Sequence, residues 1–164
     1  GATMAIQEKT GAIIEGPAKP ETFWLDQIET FAREYSFPGD NRNVTPDRWL
    51  TDGDTVDLDG IEFGVVTTPG HTPGHVVFYN TETKIAFVGD VIFQGSIGRT
   101  DFPMSNHQDL IDSITEKLWP LGDDMRFVPG HGPMSTFGAE RRPNPFVAVP
   151  VLSQGSIGSR NCCE

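Results

Sequence analysis

Residues 68–75 read Thr68-Pro69-Gly70-His71-Thr72-Pro73-Gly74-His75, a doubled Thr-Pro-Gly-His that follows a β-prone run. Two later stretches have the same form, Phe87-Val88-Gly89-Asp90 and Val128-Pro129-Gly130-His131. In each, an apolar strand ends in a tight turn and a His or Asp stands just beyond it. Two imidazoles and one carboxylate presented in this way suit a first-row metal such as zinc. We therefore expect His71, Asp90 and His131 to lie within a few ångströms of one another.

These three stretches resemble, in order, the second set of metal ligands of the metallo-β-lactamase fold superfamily. Within it, the chain is similar to the glyoxalase II-like branch, the hydroxyacylglutathione hydrolases. The resemblance runs from about Ile14 to Phe146 and implies an α/β fold. That fold is the αββα sandwich, with its second half nearly complete and its first half truncated. We predict one partial domain over residues 1–146 and an irregular tail over residues 147–164.

The resemblance also implies a role for each residue of the three stretches. His71 matches the third histidine on metal 1, Asp90 the carboxylate that bridges two metals, and His131 the histidine on metal 2. His75 matches a residue that is not a direct ligand, and we expect it to support the site by hydrogen bonding or packing. For each residue the alternative is a purely structural place in its turn. The implied cofactor is zinc, two ions per intact site, with iron or manganese as alternatives.

The family's first set of ligands, a His-x-His-x-Asp-His run that precedes the others, does not occur in this sequence. The chain has four histidines, namely His71, His75, His107 and His131. Each metal would keep two ligands from this chain, whereas catalytic zinc sites usually have about three protein ligands. We therefore expect this chain to be the back part of a metallohydrolase and to be inactive alone. The Asp that orients the attacking water would lie in the missing run.

Arg99 lies in a Gly-rich loop, residues 94–103, shortly after Asp90. The resemblance gives this position to a cation that holds a substrate carboxylate in glutathione thioesterases. Arginine suits that task because it binds a carboxylate through two parallel hydrogen bonds. A structural salt bridge with Asp101 is an equal alternative. Asp101 also replaces an aromatic contact of the family and so departs from the glutathione-binding pattern.

The resemblance implies a dinuclear metal hydrolase that acts on a small-molecule thioester, such as a glutathione conjugate. Another branch, a lactonase or a β-lactamase, is an alternative, although the commonest zinc β-lactamases carry Cys at the position of Asp90. A persulfide dioxygenase relative would use one iron and usually lacks His75. The alternative outside enzymes is a non-catalytic form, truncated or produced by alternative splicing.

Charge and composition argue against several partners. The formal net charge is −11 and the isoelectric point is near 4.6, so a nucleic-acid backbone would be repelled. The sequence has no apolar run long enough to span a bilayer, so no membrane partner is expected. Cys162 and Cys163 are adjacent, which does not suit a disulfide framework. We expect a reducing, cytoplasmic location.

The spacing of apolar residues predicts the secondary structure. Helices are predicted over residues 2–9, 21–35 and 106–118. Strands are predicted over residues 12–17, 55–58, 61–67, 76–79, 84–88 and 126–128. Asp59-Gly60 predicts a hairpin turn between the second and third of these strands.

Overall fold

A six-stranded β-sheet forms the centre of the fold in the computed structural model, which describes residues 2–148. The strands are β1 (Thr55–Leu58), β2 (Ile61–Thr67), β3 (Val76–Asn80), β4 (Ile85–Gly89), β5 (Ile92–Phe93), β6 (Ser96–Ile97), β7 (Arg126–Pro129) and β8 (Ser135–Thr136). The sheet has the order β1-β2-β3-β4-β7-β8, and β5 and β6 form a separate hairpin. Within the sheet β4 and β7 are parallel, and the other neighbours are antiparallel.

Short helices surround the sheet. They are α1 (Thr3–Thr10), α2 (Thr22–Leu25), α3 (Ile28–Glu34), α4 (His107–Asp112) and α5 (Phe137–Arg141), with a π-helix over Ser113–Leu118 and 3₁₀ turns at Lys19–Glu21 and Trp119–Leu121. Helix α1 ends at Gly11, whose φ of 69° is the left-handed conformation common after helices. Helix α4 begins at Asn106, whose side chain accepts a hydrogen bond from the backbone N–H of Asp109. The predicted helix over residues 106–118 is therefore confirmed, with a change to π geometry at Ser113.

The hairpin turn between β1 and β2 is confirmed at Asp59 and Gly60. Their φ values are 53° and 86°, so both central residues of the turn have positive φ. This is the type I′ geometry that matches the twist of paired strands. The backbone N–H of Gly60 also donates to the side chain of Asp57 at 3.1 Å, which closes the turn.

The predicted strand over residues 12–17 is wrong. Only Glu15 pairs with another segment, through an isolated parallel bridge to Arg48. The N–H of Ile14 donates to a side-chain oxygen of Asp47 at 2.7 Å. This bond occupies a donor that a sheet ladder would need, so the segment is anchored to a loop.

The predicted single helix over residues 21–35 is also wrong, because it is divided at Asp26 and Gln27 into α2 and α3. The backbone N–H of Gln27 donates to Trp24 three residues back, a tighter bond than the α-helical one. The side chain of Asn43 then accepts from Glu29 in the first turn of α3 at 3.0 Å. This contact from a distant loop starts a second helix.

The strand predicted over residues 126–128 is β7, and it is not the last strand of the chain. It is followed by β8, which pairs with it, and by α5. The two residues of β8, Ser135 and Thr136, are polar and too few to show an alternating pattern. Val147, the first residue of the predicted tail, is buried against the core, and residues 149–164 lie outside the described part of the chain.

The core lies between one face of the sheet and the helices. Its sheet side comprises Val77, Ala86, Val88 and Phe127, and its helix side includes Leu110, Ile114, Leu118 and Trp119. All are almost completely buried. Each large apolar side chain buried in this way contributes about 1.5–3 kcal/mol to folding. The core thus fixes the strands whose ends carry the site residues.

The other face of the sheet is less well covered. It presents a shallow apolar cleft of about 270 Å³, lined by Val56, Leu58, Phe63, Phe78 and Phe87 among others. The rings of Phe63 and Phe87 lie 5.8 Å apart there. None of the helices in residues 2–148 combines the length and the apolar character that crossing a bilayer requires.

Candidate metal centre

Three strand ends meet at one edge of the sheet and carry the predicted site residues. Asp90 follows β4 directly, and His131 lies two residues beyond β7. Because β4 and β7 are parallel, their carboxyl ends lie at the same edge. Strand β2 is separated from β4 by one antiparallel strand, so it runs in the same direction and its turn brings His71 to that edge. The N–H of Gly130 donates to the carbonyl of Gly89 at 2.7 Å and ties two of these turns together.

The three side chains converge on one oxygen atom. Nε2 of His71 lies 3.7 Å from Oδ2 of Asp90, and Nε2 of His131 lies 3.5 Å from the same oxygen. The predicted convergence is therefore confirmed, and the metal-binding role of these residues stays a prediction. No three His, Cys, Asp or Glu side chains within residues 2–148 are arranged to hold a metal ion by themselves.

The environment of His71 assigns its tautomer. Nδ1 lies 2.8 Å from the carbonyl oxygen of Arg99, and a carbonyl only accepts, so Nδ1 carries the proton. In its neutral form, this imidazole presents the lone pair of Nε2 to Asp90. Two acceptors that face each other in this way are stabilised by a cation between them. A backbone carbonyl behind the imidazole is also the usual outer partner of a metal-binding histidine.

Glycines pack closely around Asp90. A side chain at Gly130 would overlap Oδ1 of Asp90, and one at Gly98 would overlap the carbonyl oxygen of Asp90. Oδ1 is buried and has no hydrogen-bond partner among the described residues. Leaving a buried acceptor unpaired costs about 1–3 kcal/mol, and more when the group is charged. The other oxygen of this carboxylate, Oδ2, faces two imidazole nitrogens, so a carboxylate and two imidazoles form a donor set that fits a metal.

His75 is not one of the three converging side chains and contacts the backbone of Asp90 instead. Its Nε2 accepts a long hydrogen bond from the N–H of Asp90 at 3.4 Å, so its Nδ1 donates to Thr68 Oγ1 at 3.1 Å. Burial, followed by the neighbouring His71, lowers the pKa of His75 to about 4, although the charge of Asp90 acts in the opposite direction. The imidazole is neutral at physiological pH and contacts the backbone of Asp90. A Cβ at Gly89 would lie 2.6 Å from Nε2 of this imidazole, so the ring needs a glycine there.

Arg99 forms the salt bridge that was one of its two predicted roles. Its Nε and Nη2 each donate to Asp101 at 2.6 Å, and its guanidinium carbon lies 4.4 Å above the ring of Phe102. This pairing raises the pKa of Arg99 and lowers the pKa of Asp101. Both side chains are more than 60% exposed, at 62% and 65%. A role for Arg99 in holding a substrate carboxylate stays a prediction.

A cleft of about 410 Å³ lies in front of the three converging side chains. Its lining includes His71, Asp90, Phe93, Arg99, Phe102 and His131. The ring of Phe93 stacks on His131 with 5.9 Å between centroids, and Phe102 meets His71 edge-on at 5.5 Å. Neither Phe93 nor Phe102, the two aromatic walls, is among the site residues predicted from the sequence. The only signal for them is that both lie within about a dozen residues after Asp90, in or beside the Gly-rich loop.

A larger cleft, of about 450 Å³, lies at the opposite end of the sheet around Tyr79. It is lined by residues of the β1–β2 and β3–β4 turns, with two glutamates and no histidine. Size alone therefore does not mark the functional site, and the chemistry of the side chains does.

Comparison with known proteins identifies the class that this fold and donor set define. The chain belongs to the metallo-beta-lactamase superfamily, whose sequence model matches residues 1–131. The hydroxyacylglutathione hydrolase GloC of Haemophilus influenzae is 43% identical over 148 residues, which cover 90% of this chain and 69% of that protein. By sequence, the chain is thus a metallo-hydrolase of this superfamily with a glyoxalase II-like relative.

Solved structures agree with this assignment. BLEG-1, a B3 metallo-beta-lactamase, has a TM-score of 0.77 and 34% identity, and the match covers 90% of this chain and 70% of that one. TTHA1623 in a di-iron-bound form has a TM-score of 0.77 and 34% identity, covering 89% and 70%. Other curated relatives are matched over only 38% to 48% of their length. The predicted fold class is confirmed.

Proposed function

We propose that this chain is part of a metal-dependent thioester hydrolase of the glyoxalase II type. The observation that carries the proposal is the convergence of His71, Asp90 and His131 on a single carboxylate oxygen at three strand ends. The 43% identity to a hydroxyacylglutathione hydrolase supports a small thioester, such as a glutathione conjugate, as the substrate. The proposed location is the cytoplasm, and neither nucleic acid nor membrane is a proposed partner.

The proposed metal ligands are His71, Asp90 and His131, and the proposed metal is zinc, two ions in the complete site. Iron is the alternative, because one solved relative is di-iron-bound. Bound metal lowers the pKa of a water molecule and polarises the carbonyl under attack. The residues of this chain orient that centre: Arg99 fixes the tautomer of His71 through its carbonyl, and His75 contacts the backbone of Asp90.

We infer that further ligands come from residues outside this sequence. The ligand count supports this, because His71 with Asp90, and His131 with Asp90, give each metal two donors where catalytic zinc sites usually have about three. The share of the hydroxyacylglutathione hydrolase that is matched, 69%, supports it too. A His-x-His-x-Asp-His run is the proposed source of the remaining donors and of the Asp that orients water.

The cleft supports a substrate with an apolar acyl group beside a polar end. Phe93 and Phe102 form its apolar walls, and Arg99 lies at its rim. A carboxylate of the substrate would have to compete with Asp101 for the guanidinium of Arg99. A thioester carbonyl would then lie beside His71, Asp90 and His131, which would hold the metals, and an anionic end of the substrate would lie near Arg99.

The test compares this chain with a longer protein that carries its upstream coding sequence. We expect the longer protein, loaded with zinc, to hydrolyse S-D-lactoylglutathione and its Asp90→Ala variant to be inactive. We expect this chain alone to bind zinc weakly and to show no turnover. Two tightly bound zinc ions with turnover in this chain alone would overturn the proposed source of the ligands. A longer protein that opens lactones and ignores thioesters would overturn the branch.

A further inference from the structure

The turn that carries His71 is held by hydrogen bonds that three consecutive backbone carbonyls, those of residues 69–71, accept. Ser113 Oγ donates to the carbonyl of Pro69 at 2.8 Å. The backbone N–H of Asn106 donates to the carbonyl of Gly70 at 2.9 Å, and Ser105 Oγ donates to the carbonyl of His71 itself at 2.8 Å. All three donors come from one segment, residues 105–113, which leads into α4 and the π-helix. The carbonyls of residues 69–71 are therefore all hydrogen-bonded to this segment.

The fit between turn and helix is close. Gly70 has a φ of 134°, and a side chain there would overlap the backbone of Leu110 in α4. Ser113 is almost completely buried and is the first residue of the π-helix. One-turn π segments inside helices are frequent at functional sites. Here the π segment begins at the residue whose hydroxyl reaches the turn.

We propose that Ser105 and Ser113 are positioning residues for His71, an inference that rests on the proposed metal-dependent function. Their hydroxyls fix the backbone of residues 69–71. With the backbone fixed, Nδ1 of His71 reaches the carbonyl of Arg99 while Nε2 faces Asp90. Metal ligands must be held within about 0.5 Å of their working geometry, which a side chain on a loose turn does not achieve.

Ser105 is the sharper of the two residues to change. Its hydroxyl contacts the carbonyl of His71 directly, and its side chain is only partly buried. Alanine at this position removes one bond and leaves the packing of α4 in place. Ser113 is buried, so its alanine variant also leaves the carbonyl of Pro69 unpaired in the core.

The first measurement uses the metal-free chain, with ¹⁵N-labelled imidazoles observed by NMR at a pH where His71 is neutral. In the parent chain we expect a single Nδ1–H tautomer for His71. In Ser105→Ala we expect averaging between the two tautomers, and in Ser105→Thr, which keeps a hydroxyl, we expect return to the single form. Thr115→Ala is the matched control. It removes a hydroxyl bond of the same kind, from Thr115 in the π-helix to the carbonyl of Ile111 in α4 at 2.9 Å, and not to the turn that carries His71.

The second measurement is zinc affinity by calorimetry on the same variants. We expect Ser105→Ala and Ser113→Ala to weaken zinc binding about threefold to tenfold, which is at or below the usual effect of losing an outer-shell contact, and Thr115→Ala to leave it unchanged. A single tautomer in Ser105→Ala would overturn the proposal, as would an equal loss of zinc affinity in Thr115→Ala. If Ser113→Ala does not fold, the measurements on Ser105→Ala still test the proposal.

The two measurements separate this inference from the proposed function. Tautomer averaging in Ser105→Ala together with no zinc binding by any form supports the positioning role and contradicts the metal centre. Zinc binding at His71 with an unchanged tautomer in Ser105→Ala supports the metal centre and overturns the positioning role.

Discussion

Of the three Pro-Gly-His turns of this protein, those that carry His71 and His131 share a sequence and differ in how they are held. The side chain of His71 is 12% exposed, whereas that of His131 is 76% exposed. The turn of His71 is fixed by residues 105–113, and its imidazole donates to Arg99. The turn of His131 is fixed by one backbone bond to Gly89, and its imidazole is stacked on Phe93.

The difference shows that a shared local motif does not give a shared degree of order. His71 loses little conformational freedom when it binds a ligand, because its rotamer and tautomer are already set. His131 keeps one face in solvent and has more freedom to lose. We expect the first histidine to act as a preformed ligand and the second to be ordered by what it binds. Four experiments test this contrast, beginning with the largest expected effect.

Replacing the positive-φ glycine next to each histidine, Gly70 before His71 and Gly132 after His131, should separate the two turns most clearly. Gly70→Ala forces a side chain into the backbone of Leu110 at a positive φ, so we expect a loss of at least about 3 kcal/mol in the free energy of unfolding. Gly132→Ala, beside His131, meets open space at a φ of 76°, and we expect a loss of about 1 kcal/mol. Urea denaturation of both variants measures the difference, and equal losses would contradict the contrast.

Removing each imidazole separates stability from binding. His71→Ala should lower the free energy of unfolding by about 1–2 kcal/mol, because it leaves the carbonyl of Arg99 without its donor. His131→Ala should change it by less than about 0.5 kcal/mol, since the side chain is mostly in solvent. Both variants should lose zinc affinity. Thermal and urea unfolding in the presence of a metal chelator measures the loss of stability, and a subsequent zinc titration measures the loss of affinity. A His131→Ala variant as unstable as His71→Ala would argue against the contrast between the two turns.

Neutralising the carboxylate shared by both turns should raise stability and remove function. Asp90→Asn places an amide N–H₂ near Nε2 of His71 and Nε2 of His131 and removes the charge of the carboxylate whose Oδ1 is unpaired. We expect the metal-free variant to be about 1 kcal/mol more stable than the parent, because functional sites often sacrifice stability. Zinc should no longer stabilise it. A variant that is less stable without metal would show that the carboxylate has a structural partner.

The smallest effect is expected at the rim of the cleft, beyond the two turns. Asp101→Asn frees Arg99 from its exposed partner, so the affinity for an anionic ligand such as glutathione should rise about twofold to fivefold. Asp40→Asn is the matched control: it changes the net charge equally and removes an exposed partner two residues from Arg42, outside the cleft, where Arg42 keeps its ion pair with Glu8. NMR titration measures both, and an equal rise in the control would indicate a general charge effect.

The strand ends could be predicted from sequence because each is encoded locally. An apolar run followed by Pro-Gly or Gly-Asp fixes both the end of a strand and the next side chain. The type I′ turn at Asp59 and Gly60 is encoded in the same local way. His71, Asp90 and His131 were therefore found without knowledge of the contacts between their strands.

The features that sequence did not reveal depend on distant contacts. The division between α2 and α3 follows from Asn43, a residue in a loop beyond the helix. Arg99 was singled out for its side chain, and the contact that orients His71 is its backbone carbonyl, which any residue provides. The hydroxyls of Ser105 and Ser113 carry no motif at all. Such contacts are set by tertiary packing, which periodicity does not report.

The parallel pairing of β4 and β7 has a consequence for the order of folding. Asp90 and His131 come together only after the chain has passed through α4 and the π-helix and returned to the sheet. Bringing the two ends of so long a connection together costs conformational entropy before the native contacts form. The contacts that offset this cost form only when α4 and the π-helix have packed on the sheet, so non-local pairs of this kind form slowly. The donor pair is thus assembled late. A metal ion that bound both residues would meet a chain that has already acquired its topology, and we expect its rate of capture to report the last steps of folding.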